Sequence, residues 1–267
     1  MYYDGIHYDQ GQAGPAEVAF LERTEILTIC NRRICQIGSP SEEGKVYKIS
    51  VHGQNFAMKV INPYRVDPKR EVQYSLELAR QSEYFLISFV RRSASLVFSE
   101  IDPEQEVETE LLFMELAFGD LRQILRAGIT PEMLYNYVID IFHSIGLLAE
   151  SQILHNDLHL GNVFIVRRRD HSQAVIGDFG KTRPTEWVTS SLTDVGRFLI
   201  CLKDAVQGYS HLEMFQPVLQ AAIRESSRLD RQYEDHSGKD AALSKDLVVR
   251  VKDAFKEEFG RRQADLD

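Results

Sequence analysis

Hydrophobic positions recur in two rhythms along this chain, and the change from one to the other falls near residue 116. Before it, short stretches alternate or run apolar in the manner of strands. They are Arg33-Ile-Cys-Gln-Ile-Gly38, Gly44-Lys-Val-Tyr-Lys-Ile-Ser-Val51, Asn55-Phe-Ala-Met-Lys-Val-Ile61, Ser93-Ala-Ser-Leu-Val-Phe-Ser99 and Glu110-Leu-Leu-Phe-Met-Glu115. One helical stretch, from Asp67 to Gln81 with Pro68 in its first turn, interrupts them. The acidic run 102–110 reads as an exposed turn between the last two strands. After residue 116 the spacing becomes helical over 120–125, 130–152, 192–206, around 215–223 and over 247–259. Thr130-Pro131-Glu132 is a start signal, with a capping hydroxyl, then proline, then an acid in the first turn. A charged, polar linker from Arg228 to Lys239 is expected between the last two helices. The first 25 residues, broken by Gly11-Gln-Ala-Gly-Pro15, read as a loosely docked arm. The expectation is an α+β chain: an arm over 1–25, five antiparallel strands with one main helix over 26–116, and a mostly helical part over 117–267.

Composition narrows the function classes. A net charge of −9 argues against a general nucleic-acid binder, and it means that any phosphate site has to be built locally. Cys30, Cys35 and Cys201 form neither a paired framework nor a metal-ligand spacing, which fits a reducing, cytoplasmic setting. No apolar run reaches the ~20 residues of a membrane span, and the N-terminus carries no signal-peptide pattern.

Two short motifs then stand out: His155-Asn-Asp157-Leu-His159-Leu-Gly-Asn162, and Asp178-Phe179-Gly180 beyond the strand-like Val163-Phe-Ile-Val166. Together they resemble the catalytic signature of the protein-kinase-like superfamily. The resemblance runs from about Ile26 to Val206 and implies a two-lobed kinase-like fold, ATP as phosphate donor and magnesium as metal. It implies Asp157 as the carboxylate that holds the acceptor hydroxyl and takes its proton, and Asn162 with Asp178 as oxygen ligands of magnesium. His155 takes a structural role beside Phe179.

Lys59 lies within the apolar strand Phe56-Ala57-Met58-Lys59-Val60, where an ammonium is unfavourable unless anionic groups meet it. The strand resembles the one that carries the phosphate-binding Lys of kinases. The helix Glu that pairs with it is Glu71 or Glu77. The two lie about 240° apart around the helix, so they cannot both face Lys59, and Glu71 fits better, with Leu78 on its face. The segment from Gly38 to Gly44, followed by Val46, stands in the place of the glycine-rich loop, although the middle glycine is absent and Glu42 and Glu43 crowd it. Ala57 belongs to the implied nucleotide pocket. Met114-Glu115-Leu116-Ala117 resembles the hinge, whose backbone would pair with adenine, and Asp120 would reach the ribose. Asp194 resembles the residue that ties down the catalytic loop, with a helix cap as the rival role.

The chain departs from protein kinases in three places. Asn156 replaces the Arg before the catalytic Asp, and His159 replaces the Lys two residues after it, where the resemblance implies that it touches the γ-phosphate or the acceptor, with loop packing as the rival role. The second change makes the loop similar to those of aminoglycoside and choline phosphotransferases and of lipopolysaccharide-type kinases. Only 16 positions separate Asp178 from Asp194, too few for a conventional activation segment; Arg183 and Trp187 lie there. The expected function is ATP- and magnesium-dependent transfer to a Ser or Thr hydroxyl of a protein, as in a compact atypical kinase. A small-molecule hydroxyl kinase and a kinase-shaped nucleotide-binding regulatory module are the alternatives.

Overall fold

The computed structural model describes residues 2–3, 6–7, 26, 35–51, 53–98, 105–168, 171–184, 194–237 and 245–264. The chain is α+β and divides into two compact units. The first holds residues 1–118 together with 166–172 and 177–180; the second holds 119–165, 173–176 and 181–267.

In the first unit, β1 (Gln36–Ser41), β2 (Gly44–Val51), β3 (Gln54–Ile61), β4 (Ser88–Val97) and β5 (Glu106–Glu115) form an antiparallel sheet in the order β1-β2-β3-β5-β4. A two-residue turn, Glu42-Glu43, joins β1 to β2, with Ser41 and Gly44 paired across it. Gly44 is required there, because a Cβ would lie 2.3 Å from the Val60 carbonyl oxygen on β3. Gly38 has a φ of 72°, a left-handed conformation that suits glycine, at a shift in register between Ile37 and Ser41. One face of the sheet buries Tyr47, Ile49, Phe56, Met58, Leu111 and Phe113, joined by Ile26. The helix α1 (Pro68–Gln81) is capped by the Asp67 carboxylate, which accepts from the N–H groups of Lys69 and Arg70. Its buried positions, Glu71, Val72, Ser75 and Leu78, follow helical spacing, so Glu71 shares the core face with Leu78.

Two expectations need correction here. The acidic stretch before Glu110 is not all turn: β5 begins at Glu106, and Thr109 is buried with its hydroxyl on the Ile61 carbonyl at 2.5 Å. Alternate residues of a half-buried strand can be acidic without leaving the sheet. The five expected strands account for the largest sheet and undercount the rest of the chain, since Tyr2–Tyr3 pairs with Ile6–His7 and further short strands lie beyond residue 118.

The second unit is built mainly on helices. In α2 (Leu121–Ala127) the start is fixed by a reciprocal cap: Asp120 accepts from the Gln123 N–H while the Gln123 side chain accepts from the Asp120 N–H. In α3 (Pro131–Glu150), capped by Thr130, a stripe through Leu134, Val138, Ile141, Ile145 and Leu148 is buried. The strands β6 (Val163–Arg168) and β7 (His171–Ile176) follow, and Gly119–Asp120 pairs with β6 at Phe164 and Ile165. Then come α4 (Asp194–Val206), α5 (Phe215–Ser237) and α6 (Lys245–Ala264). Aromatic rings bind three of these helices: Tyr135 stacks on Phe259 at 4.3 Å, and Phe255 meets Phe142 and Phe215. The expected linker at Arg228 is instead the second half of α5. No Gly or Pro breaks that run, and Ser226 and Leu229 are buried on its inner face while Arg228 and Arg231 are exposed. Among the described residues no helix is long and apolar enough to cross a membrane. Trp187, Cys30 and most of the expected arm lie outside the described residues.

Candidate functional site

In the first unit, Lys59 sits opposite Val46 on β2 and Leu112 on β5, in the middle of the sheet, and only 4% of its surface is exposed. Its ammonium lies 2.6 Å from Glu71 Oε1 and donates to Asp178 Oδ1, also at 2.6 Å. The helical phase that favoured Glu71 is the one the fold adopts; Glu77 is on the outer face, where it accepts from the Gln73 amide. Burial alone would lower the Lys59 pKa, but Asp178 and then Glu71 outweigh it and hold the ammonium above its usual range. Burial pushes the Glu71 carboxyl up to about 7; Lys59 opposes that shift, and the charges of Asp178 and Glu43 add to it. One ammonium thus faces two close carboxylates, and the excess is negative. Asp178 has a φ of 64°, a conformation that costs on the order of 1 kcal/mol for a non-glycine residue and clusters at functional positions. Gly180 is enclosed: a Cβ there would lie 3.1 Å from Glu71 Oε2 and 3.2 Å from Glu43 Oε2. Phe179 is buried edge-on against Phe85, with ring centroids 6.0 Å apart.

The hinge-like segment is fixed by its own side chain. Glu115 is buried and accepts two bonds from the Arg168 guanidinium, at 2.5 and 2.6 Å, and one from the Ile87 N–H at 2.8 Å. Its backbone N–H is committed to the Ile87 carbonyl at 2.9 Å. Met114 and Ala57 are paired across the sheet and buried. The turn at Glu42-Glu43 is tied back to Asn62, whose backbone N–H and side-chain amide donate to the carbonyls of Glu43 and Glu42.

In the second unit, the buried carboxylate of Asp194 accepts from the backbone N–H of His155 at 2.7 Å and of Asn156 at 3.0 Å. These two bonds tie the backbone at 155–156 to the first residue of α4. Burial raises the Asp194 pKa, while His155, the two N–H bonds and Arg197 oppose the shift. Asn156 is left-handed, with a φ of 62°, and its carbonyl accepts from Arg197 at 2.6 Å. His155 is fully buried. Asn162 donates its amide N–H to the Asp157 carbonyl at 3.0 Å. Asp157 is partly exposed, and its Oδ2 accepts from Lys181 at 2.9 Å and lies 4.0 Å from His159 Nε2. His159 accepts the Gly161 N–H on Nδ1 at 3.0 Å. Asp120 holds a helix start with the carboxylate that was expected to reach ribose.

The Asp178 carboxylate in the first unit and the Asn162 amide oxygen in the second are each hard oxygen atoms, the kind of donor that magnesium takes. Among the described residues, no group of three or more His, Cys, Asp or Glu side chains stands ready to hold a metal ion alone. Sequence reasoning missed Lys181, Arg168 and Arg197. Lys181 had a usable signal, since it directly follows Asp178-Phe179-Gly180. Compared with known proteins, the chain matches no protein-family model and no curated protein.

Proposed function

We propose that the chain is a two-lobed, protein-kinase-like phosphotransferase that uses ATP and magnesium and passes the γ-phosphate to a Ser or Thr hydroxyl of a protein. The observation that carries this reading is the buried Lys59 held between Glu71 and Asp178 at 2.6 Å each. Burying an ion pair such as Lys59 and Glu71 can cost as much as its attraction returns, so stability alone is a poor reason to keep it. A preset ammonium aimed at phosphate oxygens is a sufficient one. In this reading Lys59 holds the donor phosphates and Glu71 fixes the ammonium. Gly38, Gly44, Val46, Ala57, Met114 and the backbone of Ala117 border the nucleotide. Asn162 and Asp178 supply oxygens to magnesium, which when bound would neutralise phosphate charge. Asp157 orients the acceptor hydroxyl and takes its proton as the new bond forms.

A small-molecule acceptor is the second reading. His159 in place of the usual Lys favours it, as do the few residues between Asp178 and Asp194, which offer little to lay out a peptide. Transfer from labelled ATP with magnesium, wild type beside Asp157→Asn, tests both. With generic protein acceptors, the wild type should label protein, and the variant should lose on the order of 10²–10⁴ in rate while still binding nucleotide. ATP turnover that needs a small hydroxyl compound would shift the assignment to the second reading. Equal labelling by both proteins removes Asp157 from its role, and nucleotide binding without any turnover would favour a regulatory module.

A further inference from the structure

Glu83, Ile87, Glu115 and Arg168 all belong to the first unit. Ser88 opens β4 opposite Met114, so Ile87 stands opposite Glu115 at the next rung of the antiparallel ladder. A closed rung exchanges two bonds, each residue giving its N–H to the carbonyl of the other. Here the Glu115 N–H does reach the Ile87 carbonyl, at 2.9 Å. The Ile87 N–H, in return, goes to the Glu115 carboxylate, with Oε1 at 2.8 Å. The side chain of Glu115 has taken the place of its own carbonyl.

Arg168 holds that side chain there. Its guanidinium forks onto both carboxylate oxygens, at 2.5 and 2.6 Å, and its Nη2 also donates to the Glu83 carbonyl at 3.5 Å. Both partners are buried, Arg168 at 1% and Glu115 at 6% exposure, so water is a poor substitute for either. A planar fork sets the plane of the carboxylate as well as its distance, which a point charge does not.

We propose that Arg168 is a positioning residue for recognition of the base. By holding the Glu115 carboxylate on the Ile87 N–H, it leaves the Glu115 carbonyl as an acceptor for the amino group of adenine, and so sets a preference for 6-amino over 6-oxo purines. The proposal rests on the phosphotransferase reading, in which the backbone of this segment pairs with adenine. Without the fork, the carboxylate turns away and the Ile87 N–H closes the rung onto the Glu115 carbonyl. An amino group then meets an acceptor that is already occupied. Hypoxanthine presents an oxygen where adenine presents N–H, so it gains no bond from this carbonyl in either state.

The test measures binding of ADP, inosine diphosphate and inorganic tripolyphosphate, each with magnesium, by titration calorimetry. The proteins are wild type, Arg168→Met and the double variant Arg168→Met/Glu115→Leu. The wild type should favour ADP over inosine diphosphate about tenfold, roughly the worth of one hydrogen bond. Arg168→Met should lose most of that preference, while tripolyphosphate, which has no base, binds as before. The double variant leaves no unpaired charge in the interior, so it is the one to read if the single variant does not fold, and it should lose the preference too. A folded variant that keeps the wild-type preference overturns the proposal. So does a uniform loss across all three ligands, which is what a purely structural role gives, and so does a wild type that binds both nucleotides equally. A wild type that binds none of the three overturns the phosphotransferase reading itself, and this proposal with it.

Discussion

Two charged clusters, one in each unit, are held in opposite ways. In the first, Lys59, Glu71, Glu115 and Arg168 are each less than a tenth exposed, and each is fixed by close, multiple contacts. In the second, Asp157, His159 and Lys181 are partly exposed, and Asp157 shares a single oxygen between two neighbours. Buried charges cannot exchange partners without a large penalty, so they set geometry; exposed ones lose little by moving, so they can act during a reaction.

The comparison breaks first where a buried partner is removed. Arg168→Met leaves the Glu115 carboxylate buried with only the Ile87 N–H, and should lower unfolding free energy by about 3–5 kcal/mol; a denaturant midpoint close to wild type would show that the pair is not structural. The next effect in size is a pH dependence. Glu71 is raised from 4.5 to about 7, so between these values the native state binds more protons than the unfolded chain. Its contribution is complete below pH 4.5 and is lost as pH rises towards 7. The stability difference, wild type minus Glu71→Gln, should therefore shrink across that window by something on the order of 1–3 kcal/mol, read from urea titrations at several pH values; a flat or growing difference would refute the raised carboxyl. The smallest effect sharpens the contrast. Glu77→Ala, on the outer face of the same helix, should stay within about 0.5 kcal/mol of wild type, and a larger thermal shift would mean that the face assignment is incomplete.

The parts of the site readable in advance were those with a rigid local rule. Helical phase separated Glu71 from Glu77, and the apolar run around Lys59 marked its ammonium as one that anionic groups must meet. What escaped depended on partners distant in sequence. Arg168 ends an apolar strand and looks like a solvated charge until Glu115, 53 residues away, is seen beneath it. The strand from Glu106 and the second half of α5 were hidden by their many charged residues, which composition reads as turn or linker and tertiary packing does not. Lys181 lay just past a recognised motif, in a stretch read only for what it lacked.

The discontinuity of the first unit has a consequence for how the chain is made. Residues 166–172 and 177–180 belong to it although 47 residues of the second unit, 119–165, are synthesised in between. On a ribosome adding roughly 5–20 residues per second, several seconds pass between the completion of Phe118 and that of Gly180. During that interval Lys59 lacks Asp178 and Glu115 lacks Arg168. The amino-terminal sheet cannot settle its interior charges until the carboxyl-terminal half is well under way, so a chain interrupted at residue 118 would present a nascent sheet to the chaperones and proteases of its surroundings.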